Sequence, residues 1–446
     1  MSDDVRGLLR RRDFLVRGAA VLGATAAGGA AAVVAARELA SGPEEASAGD
    51  DLAQEAEFEL DPEYVHLTSF LLAPHPRAVR EAIEEHRRAL DANPKVYLFE
   101  RELELEGRVL EEAGKYLGVS PREVALTDST TMGLGLVYGS FRLAEGEEIV
   151  TTEHDHYATH ESLRLRAERT GARIRRIPLY GDLGAVSVEE IVEAVRRAVR
   201  PATRLVAVTW VHSSTGLKLP IREIADALAE ANRDRGEDER VLLAVDGVHG
   251  LGVEDVSLPD LGCDIFVAGC HKWLFGPRGT GVVWATEEAW RRVSATIPTF
   301  DGRSYIAWIE GHEPTDLPPA AAMTPGGFHS FEHRWALADA FAAQTRLGAG
   351  RVAAHTRDLA GALKDGLLGT AGVVLRTPRD DRLSAGIVCF EAGTRPAPEV
   401  VDRLQSAHRV IASVTPYREQ YVRLGPSLVN SAEDVEAALD AVRALV

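Results

Sequence analysis

Cysteine is scarce in this 446-residue chain, which holds three, Cys263, Cys270 and Cys389. An odd number at spacings that match no metal-binding pattern excludes a disulfide framework and a zinc centre from the expectations. They read as small core residues. Positive charge is short as well: 50 Lys and Arg against 68 Asp and Glu leave a formal net charge of −18. Neutralising phosphates takes clustered basic side chains, so no nucleic-acid partner is expected. After the first fifty residues there is no apolar run long enough to span a bilayer. Composition is otherwise ordinary for a folded protein, at 45% hydrophobic and 26% charged residues, and the length suits one large domain plus a smaller one.

The N-terminus differs from the rest. Arg10-Arg11-Arg12-Asp13-Phe14-Leu15 precedes a mildly apolar, Ala/Gly-rich run from Gly18 to Ala36, and Ala46-Ser47-Ala48 supplies the small residues of a cleavage site. This resembles a twin-arginine export signal, a route that carries proteins already folded. Residues 1–48 are therefore expected to direct export, with no stable membrane association after cleavage. An uncleaved anchor, or a true start further along that leaves the protein cytoplasmic, is the alternative.

From Glu123 onward short apolar runs alternate with longer amphipathic ones, the pattern of a layered α/β domain. Strands are expected at Glu123–Leu126, Glu147–Thr152, Arg173–Pro178, Arg204–Trp210, Arg240–Val245, Asp264–Ala268 and Thr280–Ala285, a mostly parallel seven-stranded sheet. Ser187–Arg200 and Ile221–Arg235 have helical spacing, and Ser187 with Glu190 forms a capping-box pattern. Pro76–Leu90 reads as a further helix. The expected division is 49–75 as a segment packing with the small domain, 76–330 as the large domain, and 331–446 as a smaller α+β domain. The last contains a long helix from Phe331, strands near Val373–Arg376 and Gly386–Glu391, and helices at Pro398–His408 and Ala432–Val446.

Three constellations fall at strand ends, where ligands of open α/β sheets bind. Gly269-Cys270-His271-Lys272-Trp273-Leu274 follows one strand and precedes a Gly-rich stretch, which aims Lys272 at a ligand. Asp246-Gly247-Val248-His249-Gly250 follows another, and a carboxylate with glycine beside it can closely approach a planar ring. Pyridoxal-5′-phosphate (PLP) chemistry needs both groups: a lysine for the imine, and a carboxylate that keeps the pyridine nitrogen protonated. His249 could bond the ring's phenolic oxygen. Thr127-Asp128-Ser129-Thr130-Thr131-Met132-Gly133 opens an apolar helix, and hydroxyls with free N–H groups there suit a phosphate. Singly, each has a plain structural reading as a surface lysine, a turn aspartate or an ordinary helix cap.

Together with Glu153-His154-Asp155-His156 and Trp210-Val211-His212-Ser213-Ser214-Thr215-Gly216, and in this order, the motifs resemble the class V aminotransferases of PLP fold type I, nearest the isopenicillin-N-epimerase-like branch. The likeness runs from about Tyr64 to the C-terminus. It implies that Lys272 carries PLP, that Asp246 pairs with the pyridinium and that Thr130, Thr131 and His271 hold phosphate. It further implies that His156 stacks on the ring, with His154 and Tyr157 as rivals, that Ser213 lies near the ring oxygen, and that Arg423 binds the substrate carboxylate. Asn430 follows Arg423 in the same family segment. A homodimer is implied too, with Thr324 or Ser330 reaching a phosphate from a second subunit.

Two departures matter. The stretch Arg409-Val410-Ile411-Ala412-Ser413-Val414-Thr415-Pro416 lacks the sulfur-accepting cysteine of the desulfurases, which disfavours persulfide formation. The hydroxyl often found three residues before the lysine is here Gly269. The resulting expectation is a PLP enzyme acting on an amino acid through its α-carbon, as epimerase or carbon–sulfur lyase ahead of transaminase. A non-catalytic binding protein is the remaining alternative, and it has no need of a matched Lys272 and Asp246.

Overall fold

The structure is a computed structural model and describes residues 50–446; the expected leader over 1–48 lies outside the described residues. One sheet has seven strands: β1 (Val124–Thr127), β2 (Glu148–Thr152), β3 (Arg173–Ile177), β4 (Thr203–Thr209), β5 (Leu242–Asp246), β6 (Ile265–Gly269) and β7 (Gly281–Ala285). Their spatial order is β1-β7-β6-β5-β4-β2-β3. β2 pairs in parallel with β3 and β4, β4 with β5, and β5 with β6, while β7 runs antiparallel to both β1 and β6. Every residue of these strands is buried except in β3, so their centres read as apolar runs covered on both faces. β3, at the edge, is Arg-Ile-Arg-Arg-Ile, and its charges discourage further pairing.

Local chemistry set the helix ends differently from the expectation in two places. Ser187 accepts from the Glu190 N–H at 3.1 Å, but the Glu190 carboxylate accepts from Gly181 N at 2.9 Å rather than reaching back, so half of the capping box forms. The helix Ile221–Ala231 stops short of Arg235 because the Asn232 side chain bonds both the N–H and the carbonyl of Val241.

A 24-residue helix, Pro94–Leu117, has no counterpart among the expected elements. Pro94 starts it, and Gly118, at φ 73°, ends it in the left-handed region. With Arg77–Ala92 it cradles the helix Phe331–Leu347, whose fully buried Trp335 meets the rings of His86 and Tyr97 at 5.5 and 5.9 Å. Leu337, Ala338 and Phe341 of that helix share a core with strands of the large sheet. Expected to lie with the small domain, it packs instead among large-sheet helices, because Trp335, Leu337, Ala338, Ala340 and Phe341 are buried there.

After Gly348 the chain builds a second sheet of β8 (Val373–Leu375), β9 (Val388–Ala392), β10 (Ser413–Val414) and β11 (Val422–Leu424), antiparallel in the order β10-β11-β9-β8. Helices Ala349–Leu368, Ala397–His408 and Ala432–Arg443 pack against it. Val65–His66 runs parallel to Val410–Ile411, and Thr68 bridges to Gly425, which lays the N-terminal segment along this unit. Among the described residues no helix is long and apolar enough to cross a membrane, and no His/Cys/Asp/Glu group could hold a metal ion.

Candidate active site

The carboxyl ends of β1, β4, β5 and β6 bring the expected residues together. Lys272 lies just beyond β6, and its Nζ is 3.3 Å from His249 Nε2. Enclosure lowers the lysine pKa to about 8, with Arg423 adding to the effect and Asp246 opposing it. Asp246 is the last residue of β5, not the first beyond it, and is 2% exposed. Its Oδ1 accepts from the Val248 N–H at 3.2 Å, and no hydrogen bond among the described residues engages Oδ2. Burial raises its pKa to about 6, against the lowering effects of that bond and of Lys272. Gly247 does not serve ring approach as expected: a Cβ there would come within 2.0 Å of the Phe266 ring, so the glycine admits that core side chain.

At the end of β1 the helix Thr130–Ser140 is capped by Ser129, whose Oγ accepts from Met132 N at 3.1 Å. The cap leaves the N–H groups of Thr130 and Thr131 at an open helix start, where an anion is favoured. Thr131 is exposed. Thr130 Oγ1 accepts from Gly269 N at 2.8 Å, and a Cβ on Gly269 would sit 3.0 Å from that hydroxyl and 3.1 Å from His271 Cε1. Thr130 and His271 therefore flank Gly269 and occupy the space a side chain would need. Burial and the charges of Lys272 and Arg278 lower the His271 pKa.

Among the three rival aromatics, His156 has its imidazole within electrostatic reach of Lys272 and Arg423, and its Nδ1 caps the following helix by accepting from Ala158 N at 3.2 Å. His154 instead stacks on Tyr180, with centroids 4.3 Å apart and planes 12° from parallel. Tyr157 is 69% exposed.

Arg423, in β11, is 2% exposed. Its Nε donates to Ser413 Oγ at 3.0 Å and one terminal nitrogen to the Ser213 carbonyl at 2.9 Å. No carboxylate pairs with it among the described residues, and burial lowers its pKa. A buried guanidinium left so is prepared for an incoming carboxylate. Asn430 serves the turn instead, accepting from Ser427 N and donating to His66 O. Ser213 Oγ bonds the Tyr417 hydroxyl at 2.7 Å. Tyr417, which the motifs did not point to, also meets the His156 ring edge-on at 6.2 Å and is a further site residue. Its only sequence signal is its position six residues before Arg423. Thr324 is spent within its own chain, accepting from Leu126 N at 3.1 Å, and Ser330 precedes the helix Phe331–Leu347 without a side-chain cap bond.

These groups match PLP end by end. Asp246, with Oδ2 unengaged among the described residues, would hold the ring nitrogen, the N–H groups at the Thr130 helix start would hold the phosphate, and Lys272, its pKa lowered to about 8, would supply the amine for the imine. Fold and site thus define a PLP-dependent enzyme.

Comparison with known proteins agrees. A family model, aminotransferase class V, matches residues 73–414. The chain is 30% identical to isopenicillin N epimerase of Streptomyces clavuligerus, covering 86% of this chain and 96% of that protein. It is 28% identical to a cysteine desulfurase of Klebsiella pneumoniae over 66% of this chain and 68% of that one. Among solved structures, the cystine C–S lyase C-DES, in complex with its product cysteine persulfide, superposes with a TM-score of 0.76 at 20% identity, over 86% of this chain and 98% of that one. At that identity the likeness speaks for the fold. The chain belongs to the class V aminotransferase family.

Proposed function

We infer that the protein acts on the α-carbon of an amino acid carrying a free carboxylate, as an epimerase or a carbon–sulfur lyase. The observation that carries this reading is the buried Arg423, held by Ser413 and Ser213 with no acid partner among the described residues, in the same site as the Lys272 amine. When bound, PLP supplies the electron sink that makes an α-proton removable. The protein's own groups do the rest. Arg423 fixes the carboxylate and so orients the α-carbon. Asp246, buried and ionisable, holds a proton at the ring nitrogen. Lys272, with a pKa near 8, is a base matched to neutral or mildly alkaline conditions. His156 supports the ring face, and Tyr417 with Ser213 lines the carboxylate end.

Likeness to isopenicillin N epimerase over most of both chains favours inversion, and likeness to a cysteine desulfurase keeps carbon–sulfur cleavage beside it. Incubating the purified enzyme with amino acids in D₂O separates the outcomes: α-deuteration with inversion marks an epimerase, release of sulfide and a keto acid marks a lyase, and amino transfer to an added keto acid marks a transaminase. Absence of all three across the common amino acids and their sulfur adducts overturns the reading.

Two further proposals concern assembly and place. A homodimer is supported by exposed Phe300, Trp308 and Phe328, at 64, 74 and 85%, on the segment leading to Ser330; light scattering that reports a monomer would refute it. Export is supported by the Arg10–Leu15 motif; a reporter fused to residues 1–50 and retained in the cytoplasm would refute that.

A further inference from the structure

Trp273 directly follows Lys272, is 2% exposed, and donates its indole N–H to His249 Nδ1 at 3.2 Å. An indole nitrogen can only donate. His249 Nδ1 must therefore be a lone-pair acceptor, which in a neutral imidazole puts the single proton on Nε2, the atom 3.3 Å from Lys272 Nζ. Burial and the charges of Lys272, Arg423, His156 and His271 all act against a second proton on His249. We propose that Trp273 is a positioning residue that locks His249 in the Nε2–H tautomer, so that His249 always presents a donor, never an acceptor, to Lys272.

The consequence for Lys272 follows from hydrogen-bond balance. An Nε2–H can donate to a neutral amine lone pair but opposes an ammonium, which has none. Were the tautomer free to exchange, Nε2 could accept from the ammonium and stabilise it. The lock thus acts with burial to keep the amine unprotonated. Its rigidity has visible causes: a Cβ on Gly386 would lie 2.5 Å from the Trp273 ring, Phe70 lies 6.3 Å away centroid to centroid, and Gln344 donates to the Trp273 carbonyl at 3.3 Å. Because Gly386 precedes β9, the small sheet holds the indole in place.

The meaning for catalysis rests on Lys272 being the cofactor lysine, but the tautomer does not, so both measurements use cofactor-free protein. The pH midpoint of Lys272 acylation by acetic anhydride, followed by peptide mass spectrometry, reports the amine in the presence of its charged neighbours Asp246, Arg423, His156 and His271. Trp273→Phe is expected to raise that midpoint by about one unit, slowing acylation at pH 7 about tenfold. Leucine has neither a donor nor an acceptor, so in a His249→Leu background Trp273→Phe should shift nothing. An unchanged midpoint in the single variant, or an equal shift in the His249→Leu background, overturns the proposal, the latter by showing a merely structural role. Neutron diffraction of the wild-type protein needs no variant to fold: deuterium on His249 Nε2 is expected, and deuterium on Nδ1 refutes the lock. Failure to bind PLP would overturn the cofactor reading alone.

Discussion

The guanidinium carbon of Arg423 lies 4.5 Å from the ring centroid of Phe70. The aromatic face helps a buried cation exist without an anion beside it, which keeps two-point recognition available for the substrate.

Arg423→Lys tests that role. A lysine there cannot form the paired bonds to a carboxylate or keep both the Ser413 and Ser213 contacts. KM for the amino acid should rise about tenfold to a hundredfold, with the visible absorbance of the loaded enzyme unchanged. An unaltered KM in steady-state kinetics would place the carboxylate elsewhere.

His156 and His154 are separated by one residue and sort differently. Removing His156 should weaken PLP binding about tenfold in a fluorescence titration, whereas His154→Ala should leave it within twofold, since that ring is stacked on Tyr180. Equal losses from the two substitutions contradict the assignment.

Gly269→Ser should also weaken PLP binding, by about tenfold, because a side chain there must displace the Thr130 hydroxyl or the His271 ring. Binding as tight as wild type would mean that the serine supplies the phosphate contact itself.

Stability should depend on pH through Lys272. Its pKa in the folded protein, about 8, lies below the roughly 10.4 of an unfolded lysine. Between these values the unfolded chain holds more protons, so this group's penalty on folding is full below pH 8 and disappears as pH rises past about 10.4. Lys272→Met should therefore raise the Tm of the cofactor-free protein by about 3 °C at pH 7, and by progressively less through pH 8–10. Calorimetry showing a gain that does not vary with pH would contradict the shift.

Much of this was legible in the sequence because all but one of the large sheet's strands are buried along their length and largely apolar, and those leading to the site end at a motif. Lys272, Asp246, Thr130 and Arg423 converge as the motif order implied. Less legible were features set by contacts far along the chain. The helix Phe331–Leu347 follows the large sheet because Trp335 has His86 and Tyr97 to pack against. Gly247 is a glycine on account of Phe266, and Tyr417 joins the site only through Ser213 and His156. The different settings of His154 and His156 also needed three dimensions, because one residue of spacing turns the two rings to different neighbours.

The central claim is that Lys272 alone carries the cofactor covalently. Borohydride reduction of the PLP-loaded protein, then peptide mass spectrometry, should find the pyridoxyl label on Lys272, and Lys272→Ala should lose both the label and the visible band. A label on another lysine of the native protein, or a Lys272→Ala variant that keeps the label, would contradict the account.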